Sequence, residues 1–126
     1  MSTPTSSVDP DCLFCKIVAG DIPAIIVSRT EKVVAFRDIN PQAPTHVLLI
    51  PVEHRPTAAA TAESDPAVMG EMVAMAGTIA RDEGIDESVG GHGYRLVFNT
   101  GPDSGQEVFH THLHLLGGRT FTWPPG

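Results

Sequence analysis

Residues 109–116 of this 126-residue chain read Phe-His-Thr-His-Leu-His-Leu-Leu, and no other segment limits the possible folds as strongly. The strict alternation predicts a half-buried β-strand, since successive side chains of a strand point to opposite faces. His110, His112 and His114 are therefore expected on one face, with about 6.5–7 Å between neighbours. Such a row of imidazoles indicates either a metal site or nucleophilic and proton-transfer chemistry near neutral pH.

The geometry of a straight strand bears on the choice between these two chemistries. The first and third imidazoles would lie about 13 Å apart, whereas each ligand of a zinc ion must come within about 2 Å of it. The three histidines could share one ion only if the strand were severely bent. The spacing thus favours a catalytic row in which one histidine attacks and its neighbours orient it.

Length and charge narrow the class of protein. A chain of 126 residues is expected to form one domain. A formal net charge of −7 argues against non-specific binding to nucleic acid, which depends on lysine and arginine. The longest apolar runs, such as 47–50, are too short to cross a membrane. Residues 1–10 lack the features of a signal peptide and are predicted to be a disordered tail, which leaves a cytoplasmic domain over 11–126.

The remaining patterns predict an α+β fold. A short helix is expected over 12–19 with Gly20 as its C-terminal cap, and a long helix is expected from the Asp65-Pro66 cap to Gly84. Strands are predicted at 24–28, 33–38, 46–51, 94–99 and 109–116. The first two strands form a hairpin, and the last two pair antiparallel.

The turn over 99–106 contains two glycines and directly precedes the histidines. Glycine lets the backbone approach a ligand closely and lets successive N–H groups point towards an anion. Alone, such a turn is usually only the connection of a hairpin. Beside three histidines it predicts a phosphate site.

Cys12 and Cys15 are the only cysteines of the chain, and they are spaced C-x-x-C. In a reducing compartment this spacing indicates a metal site or a redox pair before it indicates a structural disulfide.

Several separated motifs resemble one family. Residues 110–116 match the histidine triad motif, in which three alternating histidines are followed by two apolar residues. Residues 36–46, 105–109, 117–119 and 123–126 are similar to the Hint branch of the histidine triad (HIT) family, in the same order. The resemblance implies the HIT fold, a five-stranded and largely antiparallel sheet with one long and one short helix. It also implies a two-fold homodimer, with the long helix and strand 94–99 at the interface and Trp123 reaching towards the partner's active site.

The resemblance further implies a nucleotide-binding hydrolase of the purine nucleoside phosphoramidase type. Such an enzyme cleaves the P–N bond of purine nucleoside monophosphate conjugates, such as AMP-amines, through a nucleotidyl-histidine. By position, His112 is the nucleophile, His114 holds the phosphate, and His46 and His110 complete a histidine relay. Backbone amides of the following residues would also hold the phosphate: Gly105, Gln106, Glu107 and Val108. Residue 107 is glutamate where some Hint relatives carry a serine proposed to help protonate the leaving amine.

The same resemblance implies the nucleoside site. Phe14 and Phe36 would flank the base, with a role as core residues as the alternative. Asp38 would accept hydrogen bonds from the ribose hydroxyls, since a carboxylate can accept from two donors. Ile39 would close the pocket, and Asn99 would support the phosphate or the turn.

Many bacterial relatives carry a structural zinc, and the resemblance implies that Cys12, Cys15, His54 and His110 would hold it here. The alternative is that the two cysteines are free buried thiols. No cofactor is implied for the chemistry itself. Two other functions remain open from the residues: a zinc-dependent hydrolase that uses the histidines as metal ligands, and a non-enzymatic nucleotide-binding or scaffold protein.

Overall fold

The computed structural model describes residues 8–126, so most of the predicted N-terminal tail lies outside the described residues. Five strands form one open sheet in the order β1-β2-β3-β5-β4, and every neighbouring pair is antiparallel. The α+β prediction is thereby confirmed. The strands are β1 (Ile26–Arg29), β2 (Val33–Arg37), β3 (Thr45–Pro51), β4 (Tyr94–Phe98) and β5 (Leu113–Gly117).

Within residues 8–126 the sheet is accompanied by three α-helices: α1 (Leu13–Ala19), α2 (Ala58–Ser64) and α3 (Pro66–Asp82). The predicted caps are present. The Asp65 carboxylate accepts a hydrogen bond from the Val68 N–H at 3.2 Å, and Gly20 ends α1 with φ of 81°. Helix α2 was not predicted, because its sequence AAATAES contains no large apolar side chain and therefore shows no apolar periodicity. In the part of the chain that is described, no helix is long and apolar enough to span a membrane.

The sheet is covered on both faces by apolar side chains. Helix α3 packs one face through Val68, Met72 and Ile79, which join a core with the side chains of β3 and β5. Helix α1 packs the other face, where its buried side chains meet those of β2 and β3 in a second core. Strand β3 is therefore buried along all seven residues. This arrangement makes the centre of the sheet a rigid support for side chains at its end.

The predicted histidine strand is shorter than expected at its start. It was predicted over 109–116, but β5 begins only at Leu113 and ends at Gly117. Its neighbour β4 ends at Phe98, and its other neighbour β3 ends at Pro51. The register of β3 with β5 would place Ile50 and Pro51 opposite His112 and Thr111, but the chain leaves the ladder there, and the Thr111 N–H donates to the Arg55 carbonyl oxygen at 2.9 Å instead. His110, Thr111 and His112 are consecutively buried, which differs from the alternating exposure of a half-buried strand.

Candidate active site

A cavity of about 300 Å³ opens beside the second and third histidines of the triad. Both the triad and the loop between β4 and β5 contribute to its wall. Ten of the predicted site residues line it, namely Phe14, Phe36, Asp38, Ile39, Asn99, Gly105, Glu107, Val108, His112 and His114. Of the other predicted residues, His46 lies behind His114, Gln106 is buried beneath the loop, and Trp123 is 82% exposed.

His112 is held by a main-chain group of its own segment. Its Nδ1 lies 2.7 Å from the carbonyl oxygen of His110. A carbonyl oxygen only accepts hydrogen bonds, so Nδ1–H is the donor and the neutral ring keeps its lone pair on Nε2. The His112 ring is 9% exposed, and its centroid lies 5.1 Å from the centroid of the Phe14 ring in an edge-to-face arrangement. His112 thus presents a fixed ring whose Nε2 can act as a nucleophile.

His114 belongs to a directed chain of hydrogen bonds. The Gln42 N–H donates to Nδ1 of His46 at 3.0 Å, so neutral His46 carries its proton on Nε2. That Nε2 lies 2.9 Å from Nδ1 of His114 and donates to it. Neutral His114 must then carry its own proton on Nε2. This buried Nε2 has no hydrogen-bond partner among residues 8–126, which leaves one donor without an acceptor in the cavity wall.

The environment keeps both histidines of this chain neutral. Burial, followed by the nearby His112 and His46, lowers the pKa of His114 to about 4. Burial also lowers the pKa of His46, although the Asp38 carboxylate opposes that effect. At neutral pH His114 therefore offers a neutral N–H donor whose tautomer is fixed by its partners.

This pKa shift predicts a pH-dependent loss of stability. A histidine with a pKa of 6.5 when unfolded and about 4 when folded binds its proton more readily in the unfolded chain. Its stabilising contribution is complete above about pH 6.5 and is lost as the pH falls towards 4. Between pH 7.5 and pH 5 we expect the free energy of unfolding to fall by about 2 kcal/mol more in the wild type than in His114→Gln. Urea titrations at both pH values measure this difference, and equal losses in the two proteins would contradict it.

The predicted nucleoside residues lie together at the apolar end of the cavity. Phe14 and Phe36 meet edge to face with 5.5 Å between ring centroids, and each is 4% exposed. They belong to the second core and also line the cavity, so the two sequence interpretations are compatible. Ile39 is 97% exposed and lines the same cavity.

Asp38 follows β2 and faces the histidine chain. One carboxylate oxygen accepts a hydrogen bond from the Asn40 N–H at 2.8 Å, and the other lies 3.5 Å from Nε2 of His46. Each oxygen keeps a further lone pair for a ligand. Asp38, His46 and His114 also lie close enough to hold a metal, but the hydrogen bonds already described account for their arrangement.

Gln106 supports the loop from below instead of lining the cavity. Its side-chain amide donates to the carbonyl oxygens of Pro56 at 2.7 Å and Val108 at 3.1 Å. Its side-chain oxygen accepts from the Gly101 N–H at 2.8 Å. These three bonds fix the backbone on both sides of Gly105, which has φ of 87°. Groups of the chain itself therefore hold the loop in its shape.

A second cluster lies behind the triad, where Cys12, Cys15, His54 and His110 bring one ligand atom each within 4.8 Å of one another. Nδ1 of His110 lies 3.4 Å from Sγ of Cys12, 3.6 Å from Sγ of Cys15 and 3.1 Å from Nδ1 of His54. Tetrahedral zinc places sulfur and nitrogen ligands about 3.5 Å apart and two nitrogen ligands about 3.3 Å apart. The distances in this cluster are those of a tetrahedral zinc site.

The tautomer of His110 also fits a metal ligand. Its Nε2 donates to the Pro51 carbonyl oxygen at 2.7 Å, so the neutral ring has its lone pair on Nδ1, which faces the cysteines. Nδ1 of His54 faces this lone pair at 3.1 Å, which is the separation expected for two nitrogens on one cation. The cluster is compatible with structural zinc, and its two thiols and two imidazoles complete a four-coordinate shell.

His110 connects the two sites. Its side chain lies in the cysteine cluster, while its carbonyl oxygen holds the catalytic candidate His112. The sequence did not indicate the main-chain partners that fix these rings, namely the Gln42 N–H and the Pro51 and His110 carbonyl oxygens. Every residue type carries such groups, so no side-chain pattern could have revealed them.

Comparison with known proteins agrees with this geometry. The pattern of the HIT domain family matches residues 19–121. A 14 kDa zinc-binding protein of Zea mays is 47% identical over 120 residues, covering 94% of this chain and 90% of the relative. A purine nucleoside phosphoramidase of Escherichia coli K12 is 47% identical over 109 residues, covering 86% of this chain and 88% of the relative. A solved structure of a HIT family hydrolase from Legionella pneumophila has a TM-score of 0.84 and 49% identity, covering 92% of this chain and 100% of that one.

The open five-stranded antiparallel sheet with its helices matches the fold of the solved HIT family hydrolase. This chain belongs to the HIT domain family, which confirms the resemblance drawn from its sequence.

Proposed function

We propose that this protein is a hydrolase of purine nucleoside phosphoramidates that forms a nucleotidyl-histidine intermediate on His112. One observation carries the proposal. The cavity wall contains His112, with its lone pair on Nε2, next to His114, whose buried Nε2–H lacks an acceptor. A nucleophile and an oriented donor at one cavity suit attack on a phosphoryl group, whose oxygens gain charge as the bond forms. The named activity of the E. coli relative supports this substrate class.

The proposed reaction has two substitutions at phosphorus. Nε2 of His112 attacks with its lone pair, the P–N bond breaks, and its electron pair leaves with the amine, which takes up a proton from the solvent. Water then attacks phosphorus and loses a proton to the solvent, the bond from phosphorus to Nε2 breaks with its electron pair returning to Nε2, and the nucleoside monophosphate is released. Covalent catalysis replaces one difficult substitution with two easier ones.

The other groups of the site have supporting roles in this proposal. Nε2–H of His114 donates to a phosphoryl oxygen, and the chain from Gln42 through His46 keeps that proton in place. The backbone N–H groups of Glu107 and Val108 add further donors, and the side chain of Gln106 keeps this loop rigid. Those of Gly105 and Gln106, which were also predicted to bind phosphate, instead donate to the carbonyl oxygens of Pro102 and Gly101. Donors that need no rearrangement stabilise a transition state better than mobile ones.

The nucleoside is proposed to occupy the apolar end of the cavity. Phe14 and Phe36 would contact the base, Ile39 would cover it, and Asn99 would support the phosphate or the turn. The lone pairs of Asp38 that Asn40 and His46 leave free would accept the ribose hydroxyls.

Ribose binding by Asp38 leads to a direct prediction. Asp38→Asn should raise KM for an adenosine phosphoramidate about 10-fold. The substitution replaces one carboxylate oxygen with an NH2 group and removes the negative charge, and hydrogen bonds to charged groups contribute about 1.5–3 kcal/mol. The substitution should affect the 2′,3′-dideoxy substrate much less. Steady-state kinetics with both substrates test this, and equal losses on the two would contradict a contact with the ribose.

Zinc is proposed as a structural ion, and a zinc-dependent hydrolase is the competing function. Cys12, Cys15, His54 and His110 would fill all four positions of a tetrahedral ion, whereas a catalytic zinc keeps one position open for water. The zinc-binding name of the maize relative supports the structural assignment. The ion would hold α1 and the triad segment together and take no part in bond breaking.

The experiment that tests the function is an assay of AMP and amine release from adenosine 5′-phosphoramidates. We expect turnover by the purified protein, and we expect at least a tenth of it to remain at low temperature after zinc is removed by a chelator. Complete loss on chelation, restored by zinc, would instead favour the zinc-dependent hydrolase. Binding of AMP without any turnover would favour the non-enzymatic nucleotide-binding protein.

A two-fold homodimer is proposed as the working assembly. Strand β4 is at the edge of the sheet, so one side of its backbone lacks a strand partner within the described chain. Val73 on α3 and Trp123 near the C-terminus are also exposed, at 47% and 82%. Sedimentation equilibrium of the purified protein measures the assembly directly.

A further inference from the structure

The residues Gly117, Gly118 and Arg119 form a sequence motif to which the proposed reaction gives no role. Close packing requires both glycines. A side chain at Gly117 would collide with Ile85, and a Cβ at Gly118, whose φ is 89°, would lie 2.9 Å from Cβ of Pro44. The chain that leaves β5 thus passes directly against the loop before β3, and Arg119 is the one polar side chain of the motif.

Arg119 is exposed, but its guanidinium has a defined position. Nε–H donates to the carbonyl oxygen of Gln42 at 2.9 Å, and Nη1 donates to that of Thr120 at 3.1 Å. The guanidinium carbon lies 4.2 Å from the centroid of the Phe121 ring, which is a favourable cation–π distance. The bond to Gln42 joins residues 77 positions apart and ties the C-terminal segment to the loop before β3.

Gln42 stands at the start of the histidine chain. Its N–H is the donor that leaves the proton of neutral His46 on Nε2, and this Nε2–H in turn donates to Nδ1 of His114. The carbonyl oxygen that Arg119 holds belongs to the same residue. Because Pro41 precedes Gln42 and has a fixed φ, holding the carbonyl leaves the backbone little freedom to turn the Gln42 N–H away from His46.

The direction of this chain decides which group the cavity presents. If Nδ1 of His46 carried the proton, its Nε2 would accept from Nδ1–H of His114, and Nε2 of His114 would hold a lone pair. A lone pair at that position would repel a phosphoryl oxygen, whereas an N–H binds it. The Asp38 carboxylate favours the same direction as Gln42, but from 3.5 Å, which is longer than the 3.0 Å of the Gln42 bond.

We propose that Arg119 is a positioning residue of the active site. By holding the Gln42 carbonyl it keeps the Gln42 N–H on His46, and so it keeps Nε2 of His114 as a donor for the phosphoryl group. The effect on the reaction rests on the proposed function. The direction of the chain is a property of the protein without substrate and is measured separately.

The direct test is the nitrogen-15 NMR spectrum of the imidazoles in the substrate-free protein at neutral pH. In a neutral ring, the nitrogen that carries the proton and the nitrogen that carries the lone pair have well-separated shifts. For wild type we expect the proton on Nε2 in both His46 and His114. In Arg119→Ala the two shifts of each ring should approach each other by at least about a tenth of their separation, since the second tautomer becomes populated.

Arg95→Ala is the matched control. The Arg95 guanidinium carbon lies 5.0 Å from the centroid of the same Phe121 ring, and its Nη2 donates to the Thr122 carbonyl oxygen at 3.0 Å instead of to Gln42. Replacing Arg95 therefore removes a similar charge and similar packing but keeps the Gln42 bond. The imidazole shifts should match those of wild type, and kcat/KM should stay within about 2-fold, as expected for a substitution away from the site.

Kinetics connect the chain to the reaction. Arg119→Ala should lower kcat for an adenosine phosphoramidate about 5-fold, the size expected when one hydrogen bond is weakened, and should leave KM nearly unchanged. In a His46→Gln background, Arg119→Ala should cause no further loss, because the chain through which it acts is already broken.

Unchanged imidazole shifts in Arg119→Ala, equal kinetic losses in the two arginine variants, or an undiminished further loss in the His46→Gln background would each overturn the inference and leave the proposed function intact. Wild-type protein with the expected shifts but without turnover would overturn the proposed function and leave the role of Arg119 in the histidine chain.

Discussion

His112→Asn should lower kcat/KM for an adenosine phosphoramidate by about 10⁴-fold or more, which is the order of loss seen when an enzyme nucleophile is removed. The asparagine amide can still donate to the His110 carbonyl oxygen, as Nδ1 of His112 does at 2.7 Å. The variant therefore keeps the local hydrogen bond and loses the nucleophilic Nε2. Steady-state release of AMP measures the effect.

The control for this substitution is His92→Asn. His92 is an exposed histidine outside the cavity, so its replacement should leave kcat/KM within about 2-fold of wild type. Binding of AMP to His112→Asn, followed by calorimetry, shows whether the pocket survives. If His112→Asn kept more than a tenth of the wild-type rate, the covalent mechanism would be wrong.

Replacing both Cys12 and Cys15 with serine should lower the free energy of unfolding by more than about 4 kcal/mol, a size reached when a structural metal is lost. The zinc content should fall from about one ion per chain to none. The loss is large because the cluster joins α1 to the triad segment through side chains far apart in sequence. Urea unfolding and elemental analysis measure the two quantities.

Treatment with a chelator distinguishes the effect of losing the metal from the effect of replacing the two cysteine side chains. Wild type in excess chelator should become nearly as unstable as the double serine variant, whereas the variant should not respond to the chelator. Turnover of the metal-free protein should fall about 10-fold at most, because the His110 carbonyl that orients His112 becomes less fixed. Wild type that contains no zinc and is as stable as the serine variant would show that Cys12 and Cys15 are free thiols.

The sequence predicted the elements whose side chains carry a clear signal. The Asp65 cap placed the start of α3, Gly20 placed the end of α1, and the pairing of the last two strands was confirmed. The histidine strand was predicted to start too early, because its start depends on where β4 ends at Phe98 and on the hydrogen bond that the Thr111 N–H donates to the Arg55 carbonyl oxygen instead of to β3. The first and last residues of a strand are set by its pairing with distant segments, and the alternation of residues within one segment carries no information about that pairing.

In the candidate site, too, side-chain patterns could be predicted from the sequence, whereas main-chain hydrogen-bond partners could not. The triad spacing argued against one ion shared by all three histidines, and His110 and His114 do lie in different clusters. The resemblance predicted that His54 and His110 lie beside the cysteines, as they do in the structure. The tautomers could not be predicted, because the Gln42 N–H and the Pro51 carbonyl are main-chain groups that any residue could supply. The open position of Nε2 on His114 likewise follows from packing around that ring.

Trapping the intermediate tests the covalent mechanism most directly. The protein is mixed with an excess of adenosine phosphoramidate, quenched with denaturant within one turnover, digested, and analysed by mass spectrometry. We predict one adenylyl group on the peptide that contains His112, formed at a rate no slower than turnover and absent from His112→Asn. Turnover without any adenylyl peptide, or with the group on a different residue, would contradict the proposed mechanism.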